Sequence, residues 1–268
     1  MMQDKHYQGK LIVLMGATGG IGQALAKRLA ESGATLLLVA RNVQRLALLQ
    51  RTLPGQHHCC ATDLTSAEGR AKIFSMIPPR QPLDSVIFTA GVNEFRWLEE
   101  QSPDTVSQLM MTNLTSVILL TQLILPAVKA HKAQLVYIGS TYGVIGYPGF
   151  STYCASKFGL RGFAQALGRE LGNEGVVVKY VAPRATDTSL NDAAIRQLLQ
   201  QTGSHLDSPE TVAQQVMLAL RAKRNEWFIG WPEKLFVWLN QLFPSLVSRA
   251  IRKQWSTIRH CAETPRVV

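Results

Sequence analysis

Short apolar runs alternate with longer amphipathic stretches over the first 230 residues. Leu11-Ile12-Val13-Leu14-Met15 is apolar without interruption, as a parallel strand buried on both faces requires. Runs of the same kind recur at 34–40, 57–62, 84–89, 134–139 and 176–182, with a shorter one at 226–230. The stretches between them predict helices at 23–32, from Asn42 to about Leu53, at 66–77, over one or two segments from Ser102 to about His131, from a Ser151 or Thr152 cap to about Glu174, within 186–201, and from Ser208 onward. Gly33, Pro54-Gly55 and Pro78-Pro79 stop helices, and Ser102-Pro103 and Ser208-Pro209 each supply an N-cap and a first helical residue. Strands alternating with helices predict an α/β domain, a doubly wound parallel sheet with helices on both faces. From Trp231 the pattern changes. Residues 231–268 read as a helical appendage of two amphipathic pieces split by Pro244, so the chain divides into a domain at 1–230 and an extension at 231–268. Leu235, Trp238, Leu239 and Leu242 recur at helical spacing in the first piece. Val247, Ile251, Trp255 and Ile258 share a face of the second, with Arg249, Arg252, Lys253 and Arg259 on or beside the other face.

Composition sharpens this picture in three places. The chain of 268 residues is 46% apolar and only 17% charged, which excludes a disordered protein. From Arg221 onward nine basic residues face three acidic ones, so +6 of the net charge of +10 lies in the last 48 residues. A basic, Trp-rich tail suits an interfacial helix on anionic lipid, a cover on a substrate cleft or a subunit contact; it carries no recognised nucleic-acid motif, so nucleic acid is not an expected partner. The four cysteines, Cys59, Cys60, Cys154 and Cys261, lack metal-ligand spacing, so no metal is expected and a reducing compartment is the simplest reading. The polar N-terminus and the five-residue apolar run after it do not make a signal-peptide core. No segment reads as the roughly 18–20 apolar residues that span a bilayer. A cytoplasmic protein, peripheral to a membrane if the tail binds lipid, is expected.

Candidate chemistry lies at the carboxyl ends of the predicted strands. Gly16-Ala17-Thr18-Gly19-Gly20-Ile21-Gly22 follows a strand and opens a helix. Small residues there let backbone approach a pyrophosphate, and the helix N-terminus offers free N–H groups. Arg41-Asn42 ends the second strand, where an Arg accommodates the 2′-phosphate of NADP and an acid would hold the 2′-hydroxyl of NAD. Asp63-Leu64 ends the third strand, and Asp63 suits an adenine amine as well as it suits an N-cap. Ala90-Gly91 ends the fourth and lets backbone lie flat on a ligand. Tyr153 and Lys157 lie four residues apart, one turn along a helix face. An ammonium beside the phenol favours the phenolate, so Tyr153 becomes a general acid or base, and Ser140 can hold the group being protonated. Alone, such a pair is far more often an ordinary helix start with one exposed Tyr and one exposed Lys.

Taken together and in this order, these motifs resemble the short-chain dehydrogenase/reductase family over about residues 10–230, in its single-domain, ketoreductase-like form. The family's Thr-Gly-x-x-x-Gly-x-Gly signature corresponds to residues 15–22 with Met15 at its first position, and its Asn-Ala-Gly to Thr89-Ala90-Gly91. Its Asn, Ser, Tyr and Lys correspond to Asn113, Ser140, Tyr153 and Lys157. The resemblance implies a Rossmann-type fold and an NAD(P)-dependent oxidoreductase acting on CH–OH groups, with NADP(H) preferred over NAD(H) because of Arg41. It implies Tyr153 as proton donor or acceptor. Lys157 would hold the ribose hydroxyls and depress the Tyr153 pKa. Ser140 would bind the substrate oxygen, and Asn113 would distort its helix and hold a relay water. Cofactor contacts are implied at Gly16, Thr18, Gly19, Gly20, Ile21, Arg41, Asn42, Asp63, Leu64, Ala90, Gly91, Tyr153, Lys157, Pro183, Ala185 and Thr188. Arg184 stands where the family has Gly, and adds charge near the substrate or the cofactor phosphates. Apolar candidates for the substrate walls are Val144, Ile145, Tyr147, Phe150, Trp97 and Leu190, with Ser140, Tyr147 and Tyr153 as substrate contacts. They point to an apolar, lipid-like ketone or alcohol. The alternative is a catalytically silent NADP(H) sensor or scaffold. The family's habits imply a homo-oligomer.

Overall fold

The computed structural model describes residues 6–79 and 81–263. Seven parallel strands form one sheet in the order β3-β2-β1-β4-β5-β6-β7. They are β1 (Leu11–Met15), β2 (Thr35–Ala40), β3 (His58–Ala61), β4 (Leu83–Phe88), β5 (Gln134–Ile138), β6 (Val178–Ala182) and β7 (Glu226–Phe228). Period-two alternation sends successive side chains of β1 to opposite faces. Leu11, Val13 and Met15 join one core, and Ile12 and Leu14 join the other. On the first face pack α3 (Ala67–Ser75), α5 (Ser116–His131) and α6 (Ser151–Glu170), through Ile73, Leu120, Ile124 and Leu160. On the second pack α1 (Gly20–Glu31), α2 (Val43–Thr52) and α8 (Pro209–Arg221), through Leu25, Leu29, Leu46, Val212 and Val216. The strand order reverses between β1 and β4. There the connections leave in opposite directions and open a crevice at the carboxyl ends of the strands.

Helix α4 (Pro103–Met110), capped by Ser102 as its Ser-Pro start predicts, runs through a π turn at Met111–Thr115 into α5. The fused run Pro103–His131 is long and apolar enough to cross a membrane by length and composition, where the sequence, broken by Asn113, suggests no such segment. Its inner residues Val117, Leu120, Ile124 and Val128 are packed in the sheet's core, which marks a core helix. Its outer residues Leu119 and Leu123 stay exposed.

Three boundaries depart from the pattern reading. Helix α6 starts at Ser151 without a side-chain cap, because the Thr152 hydroxyl donates instead to the Gln101 side chain at 2.7 Å. The stretch 186–201 is helical only as α7 (Ala193–Gln201), where Asp192 accepts from Ile195 N–H and starts it. The extension forms three helices: α9 (Glu233–Leu242), α10 (Pro244–Arg252) and α11 (Trp255–Ala262). The break at Lys253-Gln254 turns α11 so that Ile258, Cys261 and Ala262 bury against α7.

Candidate active site

The glycine turn is built for close approach. Gly16 has φ +75°, and a Cβ on it would meet Ala90 N at 2.6 Å. A Cβ on Gly22 would collide with the Gly16 carbonyl, and one on Gly20 would run into Thr188 Cγ2. Backbone therefore requires glycine at 16 and 22, and at 20 a side chain would have to displace Thr188. Thr89 fastens it from the side: its hydroxyl donates to Met15 O at 2.7 Å, tying the end of β4 to β1. This gives the residue in the family's Asn place a sheet-stitching role. Met15 is buried in the core beneath.

One cavity of about 780 Å³ starts at Gly19, Gly20, Ile21 and Arg41, passes Gly91, Ser140, Tyr153 and Lys157, and continues along Pro183, Ala185 and Thr188. Tyr147 lines it as well. Twelve sequence-proposed residues thus share one wall. Gly16 and Ala90 lie behind it as the turn's support, and the Thr18 carbonyl accepts from Gln23. Asn42 and Asp63 have other partners. The Asn42 side chain caps α2 by accepting from Arg45 N–H at 2.8 Å, and Asp63 accepts from Thr65 N–H and hydroxyl, each at 2.8 Å. These bonds, the backbone one first, and the charge of Arg41 hold the Asp63 carboxyl below its usual range. Leu64 is buried in the core. Among the described residues no cluster of His, Cys, Asp or Glu could hold a metal ion.

The catalytic candidates come from three strand ends and two helices. Asn113 sits in the π turn, 1% exposed. Its side chain is fully engaged: Oδ1 accepts from Val92 N–H at 2.8 Å, and Nδ2 donates to Val92 O at 2.8 Å and to Ser156 Oγ at 3.1 Å. It therefore pins the segment after β4 to α6. Ser140 follows β5, accepts from Tyr142 N–H at 3.1 Å, and has its backbone held at both N–H and C=O by the Tyr180 hydroxyl. Tyr153 and Lys157 are both buried on α6, and Lys157 Nζ donates to Ile138 O at 3.2 Å.

Burial reverses the simple charge argument for this pair. It pushes the Tyr153 phenol up to about 12, offset in part by the Ser140 hydroxyl. It pushes the Lys157 ammonium down to about 8. Lys157 Nζ lies 5.7 Å from the Tyr153 ring centre, and burial disfavours the charged form of each group. In the chain alone the phenol stays protonated.

Several wall residues were not evident from the pattern. Tyr142 stacks on Tyr147 with centroids 5.2 Å apart and meets Tyr153 edge-on at 6.4 Å. With Phe150 they make an aromatic wall beside the Tyr153 phenol. Tyr142 follows Ser140 by two residues, the one sequence signal that could have found it. Ile145, Phe150 and Leu190 line the cavity as expected. Val144 is buried behind it, and Trp97 packs on Trp255 of the extension at 5.0 Å. Asn93 lines the cavity with a buried Oδ1 that has no hydrogen-bond partner among the described residues.

The extension closes the far side. Phe236, Val247, Ile251 and Gln254 line the cavity. The Tyr147 hydroxyl donates to Gln254 Oε1 at 3.3 Å, and Asn240 Nδ2 donates to Val144 O at 2.9 Å. Arg184 holds the base of this roof. Its guanidinium makes a two-pronged pair with Asp207 at 2.8 and 2.9 Å and donates to Trp231 O at 2.8 Å and Glu233 Oε2 at 3.1 Å. Its charge is therefore spent on two carboxylates, rather than offered to substrate or phosphates. Gly230, φ +95°, leaves room for it: a Cβ there would meet Arg184 Cδ at 2.8 Å.

A parallel sheet with a glycine turn at its switch point, and a Ser-Tyr-Lys constellation beside it, defines a nucleotide-dependent oxidoreductase. The family model described as short chain dehydrogenase matches residues 10–198, and the chain belongs to that family. It is 29% identical over 216 residues to a 3-oxoacyl-[acyl-carrier-protein] reductase FabG of Vibrio cholerae, covering 78% of this chain and 88% of the relative. It is 34% identical over 182 residues to the 3-dehydrosphinganine reductase TSC10B of Arabidopsis thaliana, covering 66% of this chain and 55% of the relative. In fold it is similar to a short chain dehydrogenase from Burkholderia cenocepacia solved in complex with NADP, with TM-score 0.79 and 19% identity over 91% of this chain and 98% of that one. The protein is an oxidoreductase of the CH–OH/carbonyl type that uses a nicotinamide cofactor.

Proposed function

We propose that the protein interconverts a ketone and an alcohol on an apolar, lipid-like substrate, using NADP(H) in preference to NAD(H), with Tyr153 as general acid/base. The observation that carries this is the continuity of one cavity from the glycine turn to an aromatic wall and an apolar roof. A dinucleotide fits the residues present. Gly19 and Gly20 line the cavity without side chains, on a turn that backbone crowding at Gly16 and Gly22 keeps tight, α1 presents its N-terminus there, and the exposed Arg41 guanidinium borders the same cavity. Gly19, Gly20 and Ile21 would hold the pyrophosphate, Arg41 the 2′-phosphate, Lys157 the ribose, and Pro183, Ala185 and Thr188 the carboxamide. When bound, the nicotinamide donates a hydride to the carbonyl carbon or takes one from the alcohol. Tyr153, kept protonated by burial, gives its proton to the carbonyl oxygen, and Ser140 aligns that oxygen by donating a hydrogen bond.

The names of the V. cholerae and A. thaliana relatives, both reductases of a 3-oxo or 3-dehydro compound, support the substrate class. The apolar rows on α5 (Leu119, Leu123) and Phe158 on α6 support a homo-oligomer. In this proposal residues 1–230 form the dinucleotide-binding domain. Residues 231–268 form an extension that brings a cytoplasmic protein to an anionic membrane surface.

The decisive measurement is NADPH turnover over a panel of ketones. Tyr153→Phe should lower kcat by roughly 10²–10⁴-fold with little change in NADPH affinity. If wild type and variant both bind NADPH and neither turns over any ketone, the silent sensor takes the place of the enzyme. Arg41→Asp should weaken NADPH binding far more than NADH binding, and equal weakening would refute the NADP assignment.

A further inference from the structure

The extension has two unlike faces. Its inner face, with Phe236, Val247, Ile251 and Gln254, lines the substrate cavity. Its outer face carries Leu235, Trp238 and Leu242 along α9, Phe243 at the turn, and Leu246 at the start of α10. Each of these five is 44–53% exposed. Leu235, Trp238 and Leu242 follow i, i+3, i+7 spacing and so form one stripe. Side chains of this size are normally buried, and an outward patch of them marks an interaction surface.

Charge along α10 says which partner fits. Beyond Leu246 come Arg249, Arg252 and Lys253, all exposed. Leu246 and Arg249 share a face, and the six steps from Leu246 to Arg252 span roughly 9 Å of helix rise. An apolar tip at the α9–α10 turn with a cationic collar about that far above it matches the depth profile of a bilayer interface. There the apolar side chains sit at the acyl boundary and the cations at the phosphates. A second copy of this chain would have to bury three cations against a matching acidic face, whereas the chain as a whole is strongly basic. The cavity reaches the same place: Phe236, 42% exposed, belongs both to its lining and to the outward surface, and the exposed Ala250 lines it beside the collar.

We propose that the α9–α10 turn docks on an anionic lipid bilayer, tip inward, and that the cavity mouth thereby faces the membrane, so that the substrate is an amphiphile drawn from the bilayer. The docking stands without any turnover; the substrate route rests on the oxidoreductase reading above.

The test uses the full chain and vesicles of phosphatidylcholine alone or mixed with phosphatidylserine. Wild type should co-sediment with the anionic vesicles about tenfold more than with the neutral ones, and Arg249→Glu/Lys253→Glu should abolish the difference. Leu242→Asp/Leu246→Asp should lose binding to both. That variant keeps its melting temperature and its turnover of a short, water-soluble ketone, but loses about tenfold on a long-chain ketone dissolved in the vesicles. Absence of wild-type binding, or equal binding by the variants, overturns the docking. A change of oligomer size in the Asp variant without vesicle binding by wild type assigns the face to a second copy and overturns it too. Equal turnover of the vesicle-borne ketone by wild type and variant overturns the substrate route. Vesicle binding with no turnover of any ketone by wild type overturns the oxidoreductase reading, and the route with it, and leaves the docking intact.

Discussion

The candidate-site edge of the sheet and the roof over it are built on opposite rules. At the edge the polar groups of Asn113, Ser140 and Lys157 are committed, and the buried Asn93 Oδ1 is the exception among the described residues. The Asn113 amide has three partners, the Ser140 backbone is gripped at both ends by Tyr180, and Lys157 donates to Ile138 O. The roof is fastened by packing of α11 on α7 and by scattered polar contacts: Asn240 to Val144 O, Gln254 to Tyr147, Cys261 to Gln201, and the Arg184 clamp at its base. Much of its apolar surface faces outward. A reaction that must align a proton donor within tenths of an ångström needs the first kind of construction. Choosing among apolar substrates needs only a shaped, adjustable wall. Under the proposed function, chemistry belongs to the sheet edge and selection to the extension.

Three experiments can break this division. The largest effect lies at the edge. Lys157 is held at about 8 against an ordinary 10.5. Between those pH values the unfolded chain keeps a proton that the folded chain has lost, so stability rises with pH across the window. Relative to Lys157→Met, which does not titrate, wild type should gain about 3 kcal/mol on going from pH 7 to 11, read by urea unfolding. A constant gap would mean that the ammonium is not desolvated.

The second effect lies at the joint. Arg184→Gly should raise KM for apolar ketones about tenfold and leave the Kd of NADPH within about twofold, because the guanidinium is spent on Asp207 and Glu233. A fall in NADPH affinity with KM unmoved would return Arg184 to the cofactor. The smallest effect lies within the roof. Asn240→Ala should cost about 1 kcal/mol of local stability, visible as faster amide exchange in α9 and α10 with α6 unchanged. Equal acceleration in α6 would show that edge and roof open as one unit.

The edge was largely legible in the sequence because its signals are local. The uninterrupted run Leu11–Met15, the glycines at 16, 19, 20 and 22, and the four-residue step from Tyr153 to Lys157 each declare their geometry within a turn or a strand. What stayed hidden depends on distance in the chain. Nothing beside Arg184 in sequence announces Asp207 or Glu233, 23 and 49 residues on, so its charge read as free. The phenol and the ammonium read as attracting one another because spacing reports proximity and says nothing of burial. In the extension, Val247, Ile251, Trp255 and Ile258 read as one continuous face. The turn at Lys253-Gln254 splits it, sending Ile258 into the core beside α7 and leaving Trp255 47% exposed.

The Arg184 clamp also bears on how such a chain can be rebuilt. One guanidinium, two carboxylates and a glycine that makes room for it form a docking joint of four positions. Residues beyond Trp231 can then be treated as an exchangeable cassette, grafted onto another sheet of this family together with Arg184, Asp207 and Gly230. The recipient's own sheet edge would stay in place, and under the proposed function selectivity would follow the graft.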